Sequence, residues 1–321
     1  MKPICLLAIE TSCDDTSLAL VKNNKLVKES TKTSLGEHVK FGGIVPEIAS
    51  RSHEDSIAKC LVDVFKGTKL NYKDITHVAY TAKPGLPGSL HVGKTFAKSV
   101  AYLTNAKLVP VDHMCGHIFS FCIGKKQKIK YPFLSLVVSG GHTSIYLVKS
   151  VNEIKILNRT TDDAVGETLD KIGRAIGLSY PGGISIDKCF DQSKCNLKMI
   201  NHLPLKQQFS FSGLKTHVLN YVNSTKMKNQ KIDKVMVASS SLEWICEELI
   251  RKLEYYSDKY KVNNIVIGGG VSANKRLRYL LSKRFKNLII PDIKYCGDNA
   301  TMIAAYALLL INDANLSVDC I

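Results

Sequence analysis

An internal repeat constrains the fold of this chain more than any other feature. An apolar run at residues 6–9 leads through a short polar loop to a second apolar run at 18–21 and, after a turn, to a third at 26–27. Residues 134–157 repeat this order, again with Ser, Thr and Gly in the loop between the first two runs. Alternation and β-branched residues indicate strand, tight loop, strand, turn, strand in both places. The repeat therefore predicts two similar β-hairpin units.

Similar elements follow each hairpin unit. The 321 residues are enough for two domains of ordinary size. We predict domains at 1–115 and 116–321, with the final helix near 299–313 packing back on the first, and an elaborated loop region at 180–231. Helical periodicity is predicted for 46–65, 89–103, 163–178, 233–256, 273–284 and about 298–311, and further strands for 76–82, 108–111, 264–267 and 288–290.

Two βββαβαβα halves in tandem predict an α/β fold. The arrangement is that of the actin-like ATPase duplication (ASKHA, ribonuclease H-like), with two domains around a nucleotide cleft. Backbone N–H groups in tight hairpin loops form anion-binding concavities, so phosphates are expected near the two loops. This fold analogy predicts a nucleotide but no particular reaction.

The net charge indicates a polyanionic partner. Lys and Arg number 44 against 28 Asp and Glu, which gives a formal charge of +16. An excess of Lys, Asn and Ile is also what an AT-rich genome produces, so both interpretations stay open. If the charge is functional, the expected faces carry the lysines at 125, 126, 128 and 130 and at 226, 228, 231 and 234.

The cysteines and the hydropathy bear on the compartment. The ten cysteines are scattered without a C-x-x-C pair, and no export signal precedes them. They are typical of reduced thiols in a cytosolic protein. No apolar run reaches the roughly 18 residues of a membrane span.

Two histidines have the spacing of metal ligands. His113 and His117 share one face if this segment is helical. Asp298, at a predicted helix start, is the best distant carboxylate for a third ligand. A zinc protease would need Glu directly after the first histidine, and Met114 occupies that position. Two nearby histidines are also often incidental, so metal binding remains one of two interpretations.

Glycine-rich loops are candidates for nucleotide contact. The segment 139–143 is either a ligand loop or an ordinary hairpin turn, and 268–274 runs from a strand into a helix through three glycines. Residues 180–183 form a rigid turn followed by Asp187, suited to ribose hydroxyls or to a plain surface turn. The phosphate-loop pattern at 88–95 is discounted, because the turn at 87–89 caps a helix that is already running.

Taken together, these segments resemble the TsaD family, which includes counterparts in the KEOPS complex and a mitochondrial form. The resemblance implies transfer of the threonylcarbamoyl group from threonylcarbamoyl-AMP to the exocyclic amine of the adenosine 3′ of the anticodon, in tRNAs that read codons beginning with A. The matching motifs lie at 10–16, 42–51, 84–86, 113–117, 138–143, 162–171, 180–183, 209–216, 268–274 and 298–300.

The same resemblance implies site residues, cofactors and partners. One divalent metal per subunit, iron(II) or zinc, would be held by His113, His117 and Asp298. The resemblance names no general base, and Asp14 and Asp15 in the first hairpin loop are the best candidates either for that role or for positioning ligand or metal-bound water. Further expectations are tRNA, TsaB-like and TsaE-like proteins, a separate synthase for threonylcarbamoyl-AMP, a cytoplasmic location and no membrane. The residues expected to bind the adenylate are Val137, Val138, Ser139, Gly140, Gly141, Asp170, Gly183, Asp187 and Asn274.

The chain departs from the family pattern at several positions. Cys115 stands where the family usually has Glu, between the two histidines, which puts the surroundings of the metal in doubt. The alternatives to a transferase are a small-molecule kinase or ATPase of the same superfamily, and a binding or scaffold protein that has lost its catalytic residues.

Overall fold

The computed structural model describes residues 4–122 and 130–312. The described residues form two compact units, unit 1 drawn from 1–129 and 291–321 and unit 2 from 130–290. The lysines predicted as a charged face at 125, 126 and 128 lie outside the described residues.

Unit 1 contains a five-stranded sheet in the order β3-β2-β1-β4-β5. The antiparallel hairpins β1–β2–β3 come first, and β4 and β5 then add in parallel to β1. All six residues of β1 are buried, because helices cover the sheet on both faces. The strands are β1 Cys5–Glu10, β2 Asp15–Lys22, β3 Lys25–Thr33, β4 His77–Lys83 and β5 Lys107–Asp112.

Helices α2 and α3 cover one face of this sheet, and the final helix α10 packs on β1 and β2. Helix α10 is almost wholly apolar and buried, which is why the chain returns to unit 1 after residue 290. The α-helices of unit 1 are α1 Leu35–His38, α2 Pro46–Phe65, α3 Pro87–Thr104, α4 His113–Phe119 and α10 Ala300–Asn312, and its 3-10 turns are Val39–Phe41, Tyr72–Asp74, Ser120–Cys122 and Ile293–Tyr295.

Unit 2 repeats the same sheet, in the order β8-β7-β6-β9-β10. The strands are β6 Phe133–Val138, β7 Thr143–Val148, β8 Ile154–Arg159, β9 Asn264–Gly268 and β10 Asn287–Ile289. The helices are α5 Val165–Ala175, α6 Gly182–Cys189, α7 Ser212–Met227, α8 Lys234–Tyr260 and α9 Lys275–Arg284, with 3-10 turns at Gln192–Lys194 and Gly270–Ala273.

The equal strand order of the two sheets confirms the predicted duplication and the α/β fold class. The chain passes from unit 1 to unit 2 at residue 130 and returns at 291, whereas the sequence predicted the division after residue 115, with the final helix packing back on the first domain. The difference arises because α4 and the turn Ser120–Cys122 pack against α10 in unit 1.

The predicted loop region at 180–231 was wrong in part, since α6 and α7 occupy much of it. Leu214, Val218 and Val222 form a buried stripe at i, i+4 and i+8 of α7, but Lys and Asn at the intervening positions obscured the periodicity. Among the helices of the described residues, none is both long and apolar enough to cross a membrane.

Candidate metal centre and glycine-rich loops

Helix α4 presents two histidines one turn apart. The Asp112 side chain caps the helix, with Oδ1 accepting from the backbone N–H groups of Met114 at 2.9 Å and Cys115 at 3.3 Å. The cap starts the helix at His113, so His113 and His117 fall on the same face. Their rings meet edge-on, with centroids 4.6 Å apart, and both are buried.

Asp298 completes a cluster with these histidines inside unit 1. Its Oδ1 lies 3.1 Å from Nε2 of His117 and 3.6 Å from Nε2 of His113. One ligand atom from each of the three residues lies within 4.8 Å of the others. Asp298 lies 181 positions after His117 in the sequence. It reaches the histidines because α10 packs against α4 beside Gly116. The structure thus brings together the three residues predicted as metal ligands.

The chemistry of the cluster fits a divalent cation. His117 is fully buried, and the contact of its Nε2 with Asp298 Oδ1 at 3.1 Å is the one polar contact that its ring makes with the described residues. Burial lowers the pKa of His117, which favours the neutral imidazole that a metal needs. Two imidazoles and one carboxylate are a donor set used for both iron(II) and zinc.

Glu10 lies behind His113 and was not predicted as a site residue. Its Oε2 is 3.2 Å from Nδ1 of His113 and accepts a hydrogen bond from the Thr81 hydroxyl at 2.5 Å, and its Oε1 accepts from the Ser12 N–H at 2.5 Å. Burial alone would lower the pKa of His113, but the carboxylates of Asp298 and Glu10 outweigh it and raise the pKa to about 9. The sequence signal for this role was a carboxylate placed directly at the end of an apolar run.

The loop between β1 and β2 adds further negative charge. Burial, with repulsion from Asp298, raises the pKa of Asp14. Burial and repulsion from Asp14 raise the pKa of Asp15 to about 7. These carboxyls repel one another because they crowd into one corner of unit 1, and a bound cation would relieve that repulsion.

Two buried histidines fix the backbone of this loop. His53 Nε2 lies 3.0 Å from the Cys13 carbonyl, and its Nδ1 lies 2.7 Å from the Thr16 hydroxyl. Ser34 donates its hydroxyl and its N–H to the Asp14 carbonyl, and its Oγ lies 3.0 Å from Nε2 of the buried His38. These hydrogen bonds therefore hold the peptide that carries Asp14 in place.

The corresponding loop of unit 2 is rich in glycine and carries no carboxylate. Ser139–Gly141 follows β6, and Ser139 N–H donates to the His142 carbonyl at 2.7 Å, which closes the turn. A Cβ placed on Gly140 or Gly141 would meet nothing within 4 Å. Backbone in this turn is thus open to a ligand, whereas the side chains of Val137 and Val138 are buried in the sheet.

Two other glycines hold this loop in place. A Cβ on Gly166, in the first turn of α5, would lie 2.7 Å from Cα of Gly140. The N–H groups of Gly166 and Glu167 donate to the carbonyls of Ser139 and Gly140, each at 3.2 Å. Gly269, with φ +87°, would place a Cβ against the Val138 carbonyl. Both glycines allow backbone to pack directly on the end of β6.

The remaining predicted adenylate residues form two pairs in unit 2. Asp170 Oδ1 accepts from the Gly183 N–H at 3.2 Å. Asp187 Oδ1 accepts from the Lys275 N–H at 3.0 Å, and Asn274 Oδ1 accepts from the Leu277 N–H at 2.9 Å. Asp187 and Asn274 therefore meet at the start of α9, where both act as caps.

The structure agrees with the expectation that the phosphate-loop pattern at 88–95 is part of a running helix. Helix α3 begins at Pro87, so the Gly93–Thr95 part of the pattern lies more than one turn inside it. Gly93 instead lets the helix approach Thr11, whose Oγ1 would clash with a Cβ there.

Comparison with known proteins identifies relatives along nearly the whole chain. The family model "TsaD: tRNA N6-adenosine threonylcarbamoyltransferase" matches residues 25–305. A protein with that name from Ureaplasma parvum serovar 3 is 50% identical over 313 residues, 98% of this chain and 97% of the relative. Another with the same name, from Mycoplasma pneumoniae, is 39% identical over 98% of this chain and 99% of its own length.

Solved structures with little sequence similarity share the fold. Full-length HypF in its phosphate- and nucleotide-bound form has a TM-score of 0.62 at 12% identity, over 97% of this chain and 56% of HypF. The activator of 2-hydroxyisocaproyl-CoA dehydratase from Clostridium difficile, with bound ADPNP, has a TM-score of 0.52 at 15% identity, over 98% of both chains. These structures support the predicted actin-like duplication and nothing about the reaction.

Proposed function

Since this chain belongs to the TsaD family of tRNA N6-adenosine threonylcarbamoyltransferases, we propose that it moves the threonylcarbamoyl group from threonylcarbamoyl-AMP to tRNA. The acceptor is the exocyclic amine of the adenosine 3′ of the anticodon, in tRNAs that read codons beginning with A. The observation that carries this proposal is the convergence of His113, His117 and Asp298 in a chain so similar to named transferases.

These three residues would hold one divalent metal, iron(II) or zinc. When bound, such an ion polarises a carbonyl or phosphoryl oxygen and neutralises developing negative charge. Glu10 accepts the hydrogen bond of His113 Nδ1 and so turns Nε2 toward Asp298.

The loop Ser139–Gly141 would bind the phosphate of the adenylate. Its open backbone N–H groups suit an anion, and the first N–H groups of α5 hold the carbonyls of Ser139 and Gly140 in place. Asp170, Gly183, Asp187 and Asn274 would position the adenosine of the same substrate.

The transfer itself needs a base but no redox partner. The amine nitrogen attacks the carbamoyl carbon, a C–N bond forms, the C–O bond to the phosphate breaks, and AMP leaves with the electron pair. One proton leaves the amine. Asp14 and Asp15, beside the proposed metal site, are the candidates to accept it.

The proposed activity also involves other proteins and a cytoplasmic location. A separate synthase supplies threonylcarbamoyl-AMP, and TsaB-like and TsaE-like proteins assist in the cytoplasm, as the family resemblance implies. The support is the similarity to bacterial relatives over 96–99% of their lengths.

Mass spectrometry of nucleosides tests the activity. Purified chain is incubated with threonylcarbamoyl-AMP and an in vitro transcribed tRNA, with and without the two partner proteins. Threonylcarbamoyladenosine should form only in tRNAs that read codons beginning with A. Rapid ATP hydrolysis by the isolated chain, with no modified nucleoside in any mixture, would favour a small-molecule ATPase or kinase instead.

A further inference from the structure

The positive charge of this chain is unevenly distributed between its units. Residues 130–290 contain 25 Lys and Arg against 13 Asp and Glu, a net charge of +12, while the rest of the chain contains 19 against 15. Within unit 2, residues 188–234 hold nine lysines, no arginine and only two acidic residues, Asp191 and Asp233. We call residues 188–234 the basic segment.

Most lysines of the basic segment have no side-chain partner among the described residues. Lys215 pairs with Asp163 at 2.5 Å, Lys234 donates to the Gly177 carbonyl at 3.0 Å, and Lys194 interacts with the Asp191 carboxylate. The other six are exposed, and their side chains make no ion pair or hydrogen bond with any residue that the structure describes. They are Lys188, Lys198, Lys206, Lys226, Lys228 and Lys231.

Helix α8 holds the irregular part of this segment in one place. His202 lies between the carboxylates of Glu248 at 2.9 Å and Glu247 at 3.3 Å, and its ring stacks on Trp244. Trp244 donates to the Ile200 carbonyl at 2.8 Å. The fully buried Lys252 donates to the carbonyls of Gln207 and Gln208. Lys198 and Lys206 therefore project from backbone that is already ordered.

The six free lysines fall into two clusters, one before α7 (Lys188, Lys198 and Lys206) and one at and after its C-terminal end (Lys226, Lys228 and Lys231). The two clusters lie close enough together for one ligand to contact both. His217, in the middle of α7, lies with Nε2 2.9 Å from the Lys198 carbonyl. Lys226 follows nine residues later on the same helix, which is about 13 Å at 1.5 Å per residue. A nucleic acid strand covers that distance in about four nucleotides.

We propose that the basic segment of unit 2 is a docking surface for the phosphate backbone of tRNA. This inference rests on the proposed function, which makes tRNA the substrate. Lysine is a compact point charge without the planar fork of arginine, so the contacts would position the RNA and would not read bases. Fixed backbone under unpaired charges keeps the entropic cost of such contacts low.

Salt dependence of tRNA binding tests the surface. The full chain is titrated against a labelled tRNA transcript from 50 to 300 mM NaCl, as wild type and as Lys226→Gln/Lys228→Gln/Lys231→Gln. Three lost phosphate contacts should reduce the slope of log K against log salt by about 2, and weaken binding about tenfold or more at low salt. The KM for tRNA should rise while kcat stays unchanged.

A matched variant separates the surface from net charge. Lys59→Gln/Lys94→Gln/Lys98→Gln removes three equally exposed, unpaired lysines from α2 and α3 of unit 1, and should bind tRNA as the wild type does. Thermal unfolding should be unchanged in both variants, because these exposed side chains make no ion pair or hydrogen bond with the described residues.

Three results would overturn the proposal. Equal slopes of log K against log salt for all three proteins would show that the basic segment does not contact phosphates. Equal losses of tRNA affinity in both variants would show that only the net charge matters. Loss of binding to phosphatidylglycerol vesicles in the segment variant, with tRNA binding intact, would assign the segment to a membrane surface. Failure of the proposed function is distinguishable, because the wild type would then neither bind tRNA nor form the modified nucleoside.

Discussion

The two units have the same strand order but opposite chemistry at the same turn. In unit 1 the turn between the first two strands carries Asp14 and Asp15, and Glu10 ends the strand before it. In unit 2 the equivalent turn is Ser139–Gly141, with open backbone in place of carboxylates. One copy of the fold is thus suited to a cation and the other to an anion.

The shared topology places a loop at the same point of both sheets, and the residues of each loop decide which ligand it suits. Burial and then mutual repulsion raise the pKa values of Asp14 and Asp15 in unit 1, and a cation bound in this corner would relieve the repulsion. The turn of unit 2 lies in the unit that carries most of the chain's positive charge. The proposed division of labour between the two units rests on the different residues of these two loops.

Removal of a metal ligand should have the largest effect. His113→Ala or Asp298→Ala takes one of three donors from the cluster, so metal content should fall to near zero and transfer activity by about a hundredfold or more. Metal analysis by mass spectrometry and nucleoside analysis measure the two quantities. His91→Ala, an exposed histidine on α3, is the matched control and should change neither. Full metal occupancy in both ligand variants would refute the assignment of unit 1 to a cation.

Glu10→Gln tests the group behind the ligand. The amide keeps the shape of the side chain but removes the charge that holds His113 Nδ1. Metal affinity should fall about 10–100-fold while His113, His117 and Asp298 remain. Competition with a chelator gives the affinity, and X-ray absorption reports whether both imidazoles still bind. An unchanged affinity would reduce Glu10 to a structural residue of β1.

Gly269→Ala should destabilise unit 2. The residue has φ +87°, and its Cβ would press on the Val138 carbonyl. We expect the free energy of unfolding to drop by about 1–3 kcal/mol, measured by chemical denaturation. Gly270→Ala is the matched control, because a Cβ there meets nothing within 4 Å and it should be nearly neutral. Equal effects of the two changes would contradict the close packing at the end of β6.

Gly140→Val should have the smallest effect on folding and a selective effect on the ligand. A Cβ at this position meets no protein atom within 4 Å, so stability should change by less than about 1 kcal/mol. Affinity for a non-hydrolysable threonylcarbamoyl-AMP analogue should fall about tenfold, since the side chain would occupy space that the phosphate needs. Unchanged affinity by calorimetry would remove this turn from the adenylate site.

Much of the fold was predictable because local pattern and tertiary structure agree. The repeat predicted the first three strands of each sheet, local pattern predicted the other two, and helix α2 has the bounds that its periodicity predicted. Helices α6 and α7 were missed because Lys and Asn dilute the buried stripe of α7. The composition gives only the net charge of the whole chain. The assignment of residues to units shows that most of this charge lies in unit 2.

The site was predictable where a motif is local and where the family resemblance supplied distant residues. His113 and His117 were identified by their spacing, and Asp298 joins them through the packing of α10 on α4. Glu10 was missed because its role depends on β1, β4 and α4 meeting in space. The meeting of Asp187 and Asn274 likewise depends on contact between α6 and α9.

Nucleoside analysis in cells tests the central claim most directly. The chain is depleted and then restored either as wild type or as Asp298→Ala, and threonylcarbamoyladenosine is quantified by mass spectrometry in tRNAs that read codons beginning with A. We predict that the nucleoside disappears on depletion, returns with the wild type and does not return with Asp298→Ala at equal protein levels. Unchanged threonylcarbamoyladenosine after depletion, or full recovery with Asp298→Ala, would contradict a metal-dependent threonylcarbamoyltransferase.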